Sequence, residues 1–180
     1  MSGINSAKNF TLTGATLPAC ILAATDGNNV SLADLKGWSV LFFYPRTGNP
    51  DEPAPLGLSD VPNAKGCTPQ ACGFRNTHGQ FLKLGIQNIF GISSQSADYQ
   101  QEVSKRLCLT YSLLSDPKCS VGTALRMRLF EIDHVRFYAR TTFVLKDSVV
   151  VKVFDDIQDP EKNASEVIAW LQRTDLSELK

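Results

Sequence analysis

"WSVLFFYP" (Trp38–Pro45) is an unbroken apolar and aromatic run that stops on a proline. A strand with one wet face would alternate polar and apolar residues, so a run like this fits a strand buried on both faces. "GIQNIFGISS" (Gly85–Ser94) has the same character, and "TTFVLKDSVVVKVF" (Thr141–Phe154) reads as two strands around a turn at Lys146–Ser148. Helical patterns fall between or after these strands, over Pro69–Leu84, Ala97–Leu107, Val121–Arg128 and Ala164–Gln172. Strand, helix, strand, helix, hairpin and a last helix predict α/β layers around one sheet, with a parallel pair joined by a right-handed crossover. Nearer the start, "TDGNNVSLADL" predicts a tight turn and then a short helix capped by Ser31.

The chain has 180 residues, enough for one domain over 1–180 and no second one. Its formal net charge is zero, which disfavours nucleic acid and anionic lipid as partners. No apolar run approaches bilayer length, so no membrane span is expected. The opening "MSGINSAKNF" lacks the basic and apolar regions of a signal peptide. Five cysteines, an odd number without the spacing of a secreted framework, favour a reducing, cytoplasmic setting.

Residues 46–66, "RTGNPDEPAPLGLSDVPNAKG", break the compact pattern with four prolines, three glycines and neither helical nor strand period. A connection this long calls for a functional reason. It runs directly into "KGCTPQACGFRN" (Lys65–Asn76), where Cys67 and Cys72 lie five positions apart.

Pro69 suits the first helical position, which makes Thr68 the expected cap and sets Cys67 at the helix mouth. The positive end of a helix favours a thiolate, the reactive form of cysteine. Cys67, Ala71, Phe74, His78 and Phe81 recur at spacings of three and four on the mostly apolar side, while Cys72 falls on the opposite side with Arg75, Asn76 and Gly79. Residues five apart on a helix are separated by roughly 8–9 Å at Cα. A disulfide needs about 7 Å or less. The two sulfurs can therefore join only if the first turns unwind, which is the geometry of a redox switch. The alternatives are a pair of small buried hydrophobes and a zinc site, although Cys67, Cys72 and His78 lack the paired spacings of structural zinc.

The residues "FFYP…GCTPQACGFR", "FGISSQSADYQQEVSKRLCLTYSLLSD" and "ARTTFVL" resemble, in order and over about residues 10–155, the peroxiredoxins of the Q or bacterioferritin-comigratory-protein branch. The resemblance implies a thioredoxin-like fold, a central mixed sheet flanked by helices, with the long loop inserted before the active-site helix. It implies thiol-dependent reduction of hydrogen peroxide and organic hydroperoxides without metal or organic cofactor. Cys67 corresponds to the peroxidatic cysteine and Cys72 to the resolving one, the two forming an intramolecular disulfide that a thioredoxin-type partner reduces. Arg140 corresponds to the arginine facing the thiolate, and Pro45 to the proline closing the strand before the active-site loop. Both cysteines lie in one chain, so a monomer is expected.

The chain also departs from that family. The threonine and proline expected three and two positions before the reactive cysteine are replaced by Ala64 and Lys65. A hydroxyl for bound peroxide must come from elsewhere, from Thr47, Ser59 or Thr68. Thr47 is preferred because it follows the strand end at Pro45. The phenylalanine–proline pair expected before "LLSD" is Tyr111–Ser112.

Cys20, Cys108 and Cys119 have no helix-mouth context and read as structural, with Cys119 in an expected loop open to adventitious oxidation. His78 reads as a hydrogen-bonded helix residue, His134 has no evident partner, and Arg126, Arg128 and Arg136 read as solvated. Two other functions fit parts of the pattern: a non-enzymatic peroxide sensor using the same disulfide, and a protein disulfide reductase, which would require a C-x-x-C spacing that is absent.

Overall fold

The computed structural model describes residues 11–179. In chain order the elements are β1 (Ile21–Ala24), β2 (Asn29–Ser31), β3 (Trp38–Phe43), α1 (Cys67–Lys83), β4 (Ile86–Ser93), α2 (Ala97–Arg106), β5 (Ser112–Ser115), α3 (Ser120–Ala124), β6 (Leu129–Ile132), β7 (Val135–Tyr138), β8 (Thr141–Lys146), β9 (Val149–Phe154) and α4 (Asn163–Arg173). Seven strands form one sheet in the order β2-β1-β5-β4-β3-β8-β9, and β6 pairs with β7 separately. The pairs β3–β4 and β4–β5 are parallel, and the other neighbours are antiparallel. This is the layered α/β sheet that the apolar runs predict, mixed and flanked by helices as the resemblance implies.

The reading of Trp38–Pro45 follows from how β3 divides its side chains. Val40, Phe42 and Tyr44 enter one core layer with Phe74 and Phe81 of α1, Val103 of α2, and Val167 and Leu171 of α4. Leu41 and Phe43 enter the other, with Val121, Leu125, Tyr138 and Phe143. All five are at most 1% exposed, and burial of each valine, leucine and phenylalanine among them is worth about 1.5–3 kcal/mol. Phe42 stacks on Phe74 with ring centroids 4.4 Å apart, which clamps α1 to the sheet beneath Cys67. Phe42 stands opposite Gly91 on β4, where a Cβ would lie 2.6 Å from the Phe42 ring, so only glycine leaves room for that stack.

Several expectations need correcting. The helix expected over Val121–Arg128 is only α3, because Arg126 takes a left-handed φ of 54° and Met127 turns its N–H back to the Gly122 carbonyl (2.8 Å). The β6–β7 hairpin after it was not anticipated. Its turn uses Asp133 (φ 49°) and His134 (φ 64°) without the glycine that announces such turns. Strand β5 is four residues long, too short for its period to register. Ser31 precedes a short 3-10 turn, but its hydroxyl donates to the Asp34 carboxylate (2.6 Å) rather than capping backbone. The long loop is partly ordered by its own contacts: Leu58 begins a single 3-10 turn, and both Leu58 and Ala64 are buried.

Candidate active site

Helix α1 begins at Cys67, two residues earlier than proline placement predicts. Its cap is Gly66, not Thr68, and no side chain caps it. Gly66 has φ 93°, a left-handed value that suits glycine, and a Cβ there would stand 2.8 Å from the Pro160 ring. The loop thus turns sharply into the helix and delivers Cys67 as its first residue. Pro69 still lies in the first turn, where its missing N–H costs nothing.

Cys67 is buried, and its thiol donates to the Ala64 carbonyl at 3.7 Å. Arg140, between β7 and β8, reaches it with Nη2 3.2 Å from Sγ. The same guanidinium donates to the Lys65 carbonyl (2.8 Å), the Asn63 carbonyl (3.3 Å) and the Gln70 side-chain oxygen. Four acceptors around one buried guanidinium leave it a single orientation. No acidic residue occupies the first turn of α1, so the positive charge and the helix N-terminus act on the sulfur together.

Gln70 was not singled out by sequence reasoning. It is fully buried, and its amide donates to Asn163 Oδ1 (3.0 Å), which also accepts from Thr142 (2.8 Å). Only a polar residue interrupting the core face of α1 marked it. Tyr44 and Tyr111 were likewise missed as neighbours of the cysteines. Burial pushes both phenols well above their ordinary titration range, and Cys67 pushes Tyr44, and Cys72 pushes Tyr111, in the same direction.

Cys72 is half-buried on the same intact helix, and all five cysteines are free. The two-face reading of α1 therefore holds for Cys67, Ala71, Phe74 and Phe81, which are buried, whereas His78 is half-buried with Nδ1 2.8 Å from the Thr110 hydroxyl.

Pro45 is buried at the end of β3. Thr47 is buried two residues on, and its hydroxyl donates to Gln95 Oε1 at 3.0 Å. Its backbone N–H donates to the same oxygen, and its carbonyl accepts from Gln95 Nε2 and the Tyr99 hydroxyl. Of the other hydroxyl candidates, Ser59 is exposed and faces Asp60 (3.4 Å), and Thr68 is half-buried in the first turn. Beside Gln95, a cleft of about 400 Å³ opens between the long loop, the start of α2 and the β6–β7 hairpin. Its apolar wall includes Pro55, Ile132, Val135 and Phe137.

The remaining cysteines lie apart from this site. Cys119 is buried, not in an open loop, and burial, followed by Asp116, pushes its thiol up to about 11. Burial likewise raises Cys20. Cys108 is exposed with a left-handed backbone. His134 faces Glu131 at 3.8 Å on the surface. Among the described residues no helix is long and apolar enough to cross a membrane.

The Redoxin family description matches residues 12–168. Over 164 residues the chain is 33% identical to a chloroplastic peroxiredoxin Q of Suaeda salsa, covering 88% of this chain and 67% of that one. It is 32% identical over 163 residues to the chloroplastic peroxiredoxin Q of Sedum lineare, covering 88% and 77%. The crystal structure of peroxidoxin BcpB from Mycobacterium tuberculosis superposes with a TM-score of 0.72 at 26% identity, covering 91% of this chain and 97% of that one. The chain belongs to the redoxin family and, within it, to the peroxiredoxins of the Q and bacterioferritin-comigratory type, which are thiol-dependent peroxidases.

Proposed function

We propose that the chain reduces peroxides with two cysteines, Cys67 as the peroxidatic residue and Cys72 as the resolving one. The observation that carries the reading is the Arg140 guanidinium, immobilised by three other acceptors with Nη2 3.2 Å from Cys67 Sγ at a helix N-terminus. The Cys67 thiolate attacks one peroxide oxygen, the O–O bond breaks, and the other oxygen leaves as alcohol or water after taking a proton. Sulfur is oxidised to a sulfenic acid and the peroxide is reduced by the same two electrons. Arg140 stabilises charge developing on the leaving oxygen. The Cys72 thiol then condenses with the sulfenic acid, releasing water and forming the Cys67–Cys72 disulfide. A thioredoxin-type dithiol returns both to thiols by exchange, entering at the more accessible Cys72 sulfur.

Hydrogen peroxide and organic hydroperoxides are both within this reading, since each carries the O–O bond that the Cys67 thiolate attacks. A monomer in the cytoplasm suffices, since one chain carries both sulfurs. Peroxide treatment should remove two hydrogens per chain, with peptide mapping joining Cys67 to Cys72, and should lower helix content as the first turns of α1 unwind. A bridge between any other pair would overturn the assignment.

Thr47 is proposed as the peroxide-binding hydroxyl, with Pro45 setting its position. Because its proton already goes to Gln95, it can only accept, from the O–H of bound peroxide. Thr47→Val should then slow the second-order reaction with peroxide by roughly tenfold, the value of about one hydrogen bond to a reacting group. A rate within a factor of about two of wild type, under 0.5 kcal/mol in barrier, would remove Thr47 from the site.

A further inference from the structure

Closing the proposed disulfide requires the first turns of α1 to separate, and besides the Arg140 and Gln70–Asn163 contacts described above, a side chain of the segment before β5 ties them down. Ala71 lies between the two cysteines. Besides its place in the helix, its carbonyl accepts a 2.7 Å hydrogen bond from the hydroxyl of Tyr111, forty residues away. Tyr111 leads into β5, is 8% exposed, and packs its ring near-perpendicular to Phe42 at 5.7 Å and to His78 at 6.2 Å. Burial keeps the phenol protonated, so it remains a donor.

Two other bonds join α1 to the same segment. Arg75 Nη1 donates to the Leu107 carbonyl, and His78 Nδ1 meets the Thr110 hydroxyl at 2.8 Å. Both lie beyond Cys72. Of these three ties to the segment before β5, that of Tyr111 falls on the stretch that must move, while the other two hold the rest of the helix in place.

We infer that Tyr111 is a latch on the resolving step: by binding the Ala71 carbonyl it holds the Cys67–Cys72 stretch helical and sets how often Cys72 can reach an oxidised Cys67. The latch rests on the two-cysteine reading above and assigns Tyr111 as a positioning residue for its second step. The Cys67 sulfenic acid has two fates. Condensation with the Cys72 thiol releases water and needs the helix open. A second peroxide transfers an oxygen, giving a sulfinic acid and releasing alcohol or water, and needs no opening. The latch therefore favours overoxidation at high peroxide. It also exists only in the helical form, so it stabilises the dithiol and makes the disulfide easier to reduce.

Tyr111→Phe keeps the ring and removes only the hydroxyl. In the reduced protein, amide exchange at residues 67–72 should rise roughly three- to tenfold, the range expected for one buried hydrogen bond. The peroxide concentration that converts half of Cys67 to sulfinic acid should rise by the same factor. The reduction potential of the Cys67–Cys72 couple should fall by about 14–30 mV, that fold-change converted at 29.6 mV per tenfold. Thr110→Val, which loses the tie beyond Cys72, should leave all three values as in wild type. The latch is overturned if Tyr111→Phe matches wild type in exchange and in the overoxidation threshold. It is equally overturned if exchange rises across the whole protein while the threshold and potential stay put, which would make Tyr111 a packing residue only. If oxidised wild type carries no Cys67–Cys72 bridge, the two-cysteine reading fails and the latch fails with it, a result visible by mass without any Tyr111 variant.

Discussion

Cys67→Ser should abolish peroxide consumption, and Cys72→Ser should consume about one equivalent and then stall with thioredoxin. The two losses differ because the sulfurs do different work. At position 67 the Arg140 guanidinium and the helix N-terminus act on whatever atom replaces Sγ, but a serine hydroxyl stays protonated near neutral pH and cannot take up the peroxide oxygen as a thiolate does. At position 72 the first oxidation is untouched, and the loss falls on the next step. The Cys67 sulfenic acid then has no internal partner, and with Cys67 only 3% exposed an external dithiol reaches it poorly. A coupled assay with thioredoxin, its reductase and NADPH reads turnover, and a sulfenic-acid probe should label Cys67 alone in Cys72→Ser. Normal turnover by Cys72→Ser would show that some other thiol resolves the sulfenic acid.

Arg140→Met should lower the second-order rate with peroxide by about 10²–10³, the cost of removing one preorganised donor from developing negative charge. Methionine fills much of the same volume, so the loss reports charge and hydrogen bonding more than packing. Arg140→Lys should recover little, because one ammonium cannot serve Cys67, Gln70 and the Asn63 and Lys65 carbonyls in their fixed directions. The two carbonyls belong to the turn that leads into Gly66, so either variant also loosens the entry to α1. Urea unfolding separates that effect from the rate. A rate for Arg140→Met within about tenfold of wild type, under 1.4 kcal/mol, would mean the guanidinium orders the loop without stabilising the transition state.

Much of the frame was legible in the residues because it follows from local periodicity. β3 and β4 are continuous apolar runs because both faces are covered, and α1 repeats its apolar residues at three and four because one side lies on Phe42. The pairing of β8 with β9 follows from two β-branched runs around a short turn. Where the local signal was weak, the reading failed. β5 is too short to show a period, Arg126 ends α3 against its helical pattern, and the β6–β7 turn is made by Asp133 and His134 without glycine. The cap was misplaced because proline is tolerated anywhere in the first turn, so Pro69 alone could not say that the helix begins at Cys67.

By itself, then, the sequence determined the layered fold, the place of Cys67 at a helix mouth and that of Cys72 five residues on along the same helix, since each depends on residues within a turn or a strand of one another. Tertiary structure decided which groups meet around that helix and the loop before it. Arg140 on Cys67, Gln95 on Thr47 and Tyr111 on Ala71 join residues 73, 48 and 40 positions apart. No local preference encodes such meetings. They arise from the crossover that lays α1 over β3, from the register that sets the ends of β3 and β4 level with the start of β8, and from buried polar groups that must find partners once water is excluded.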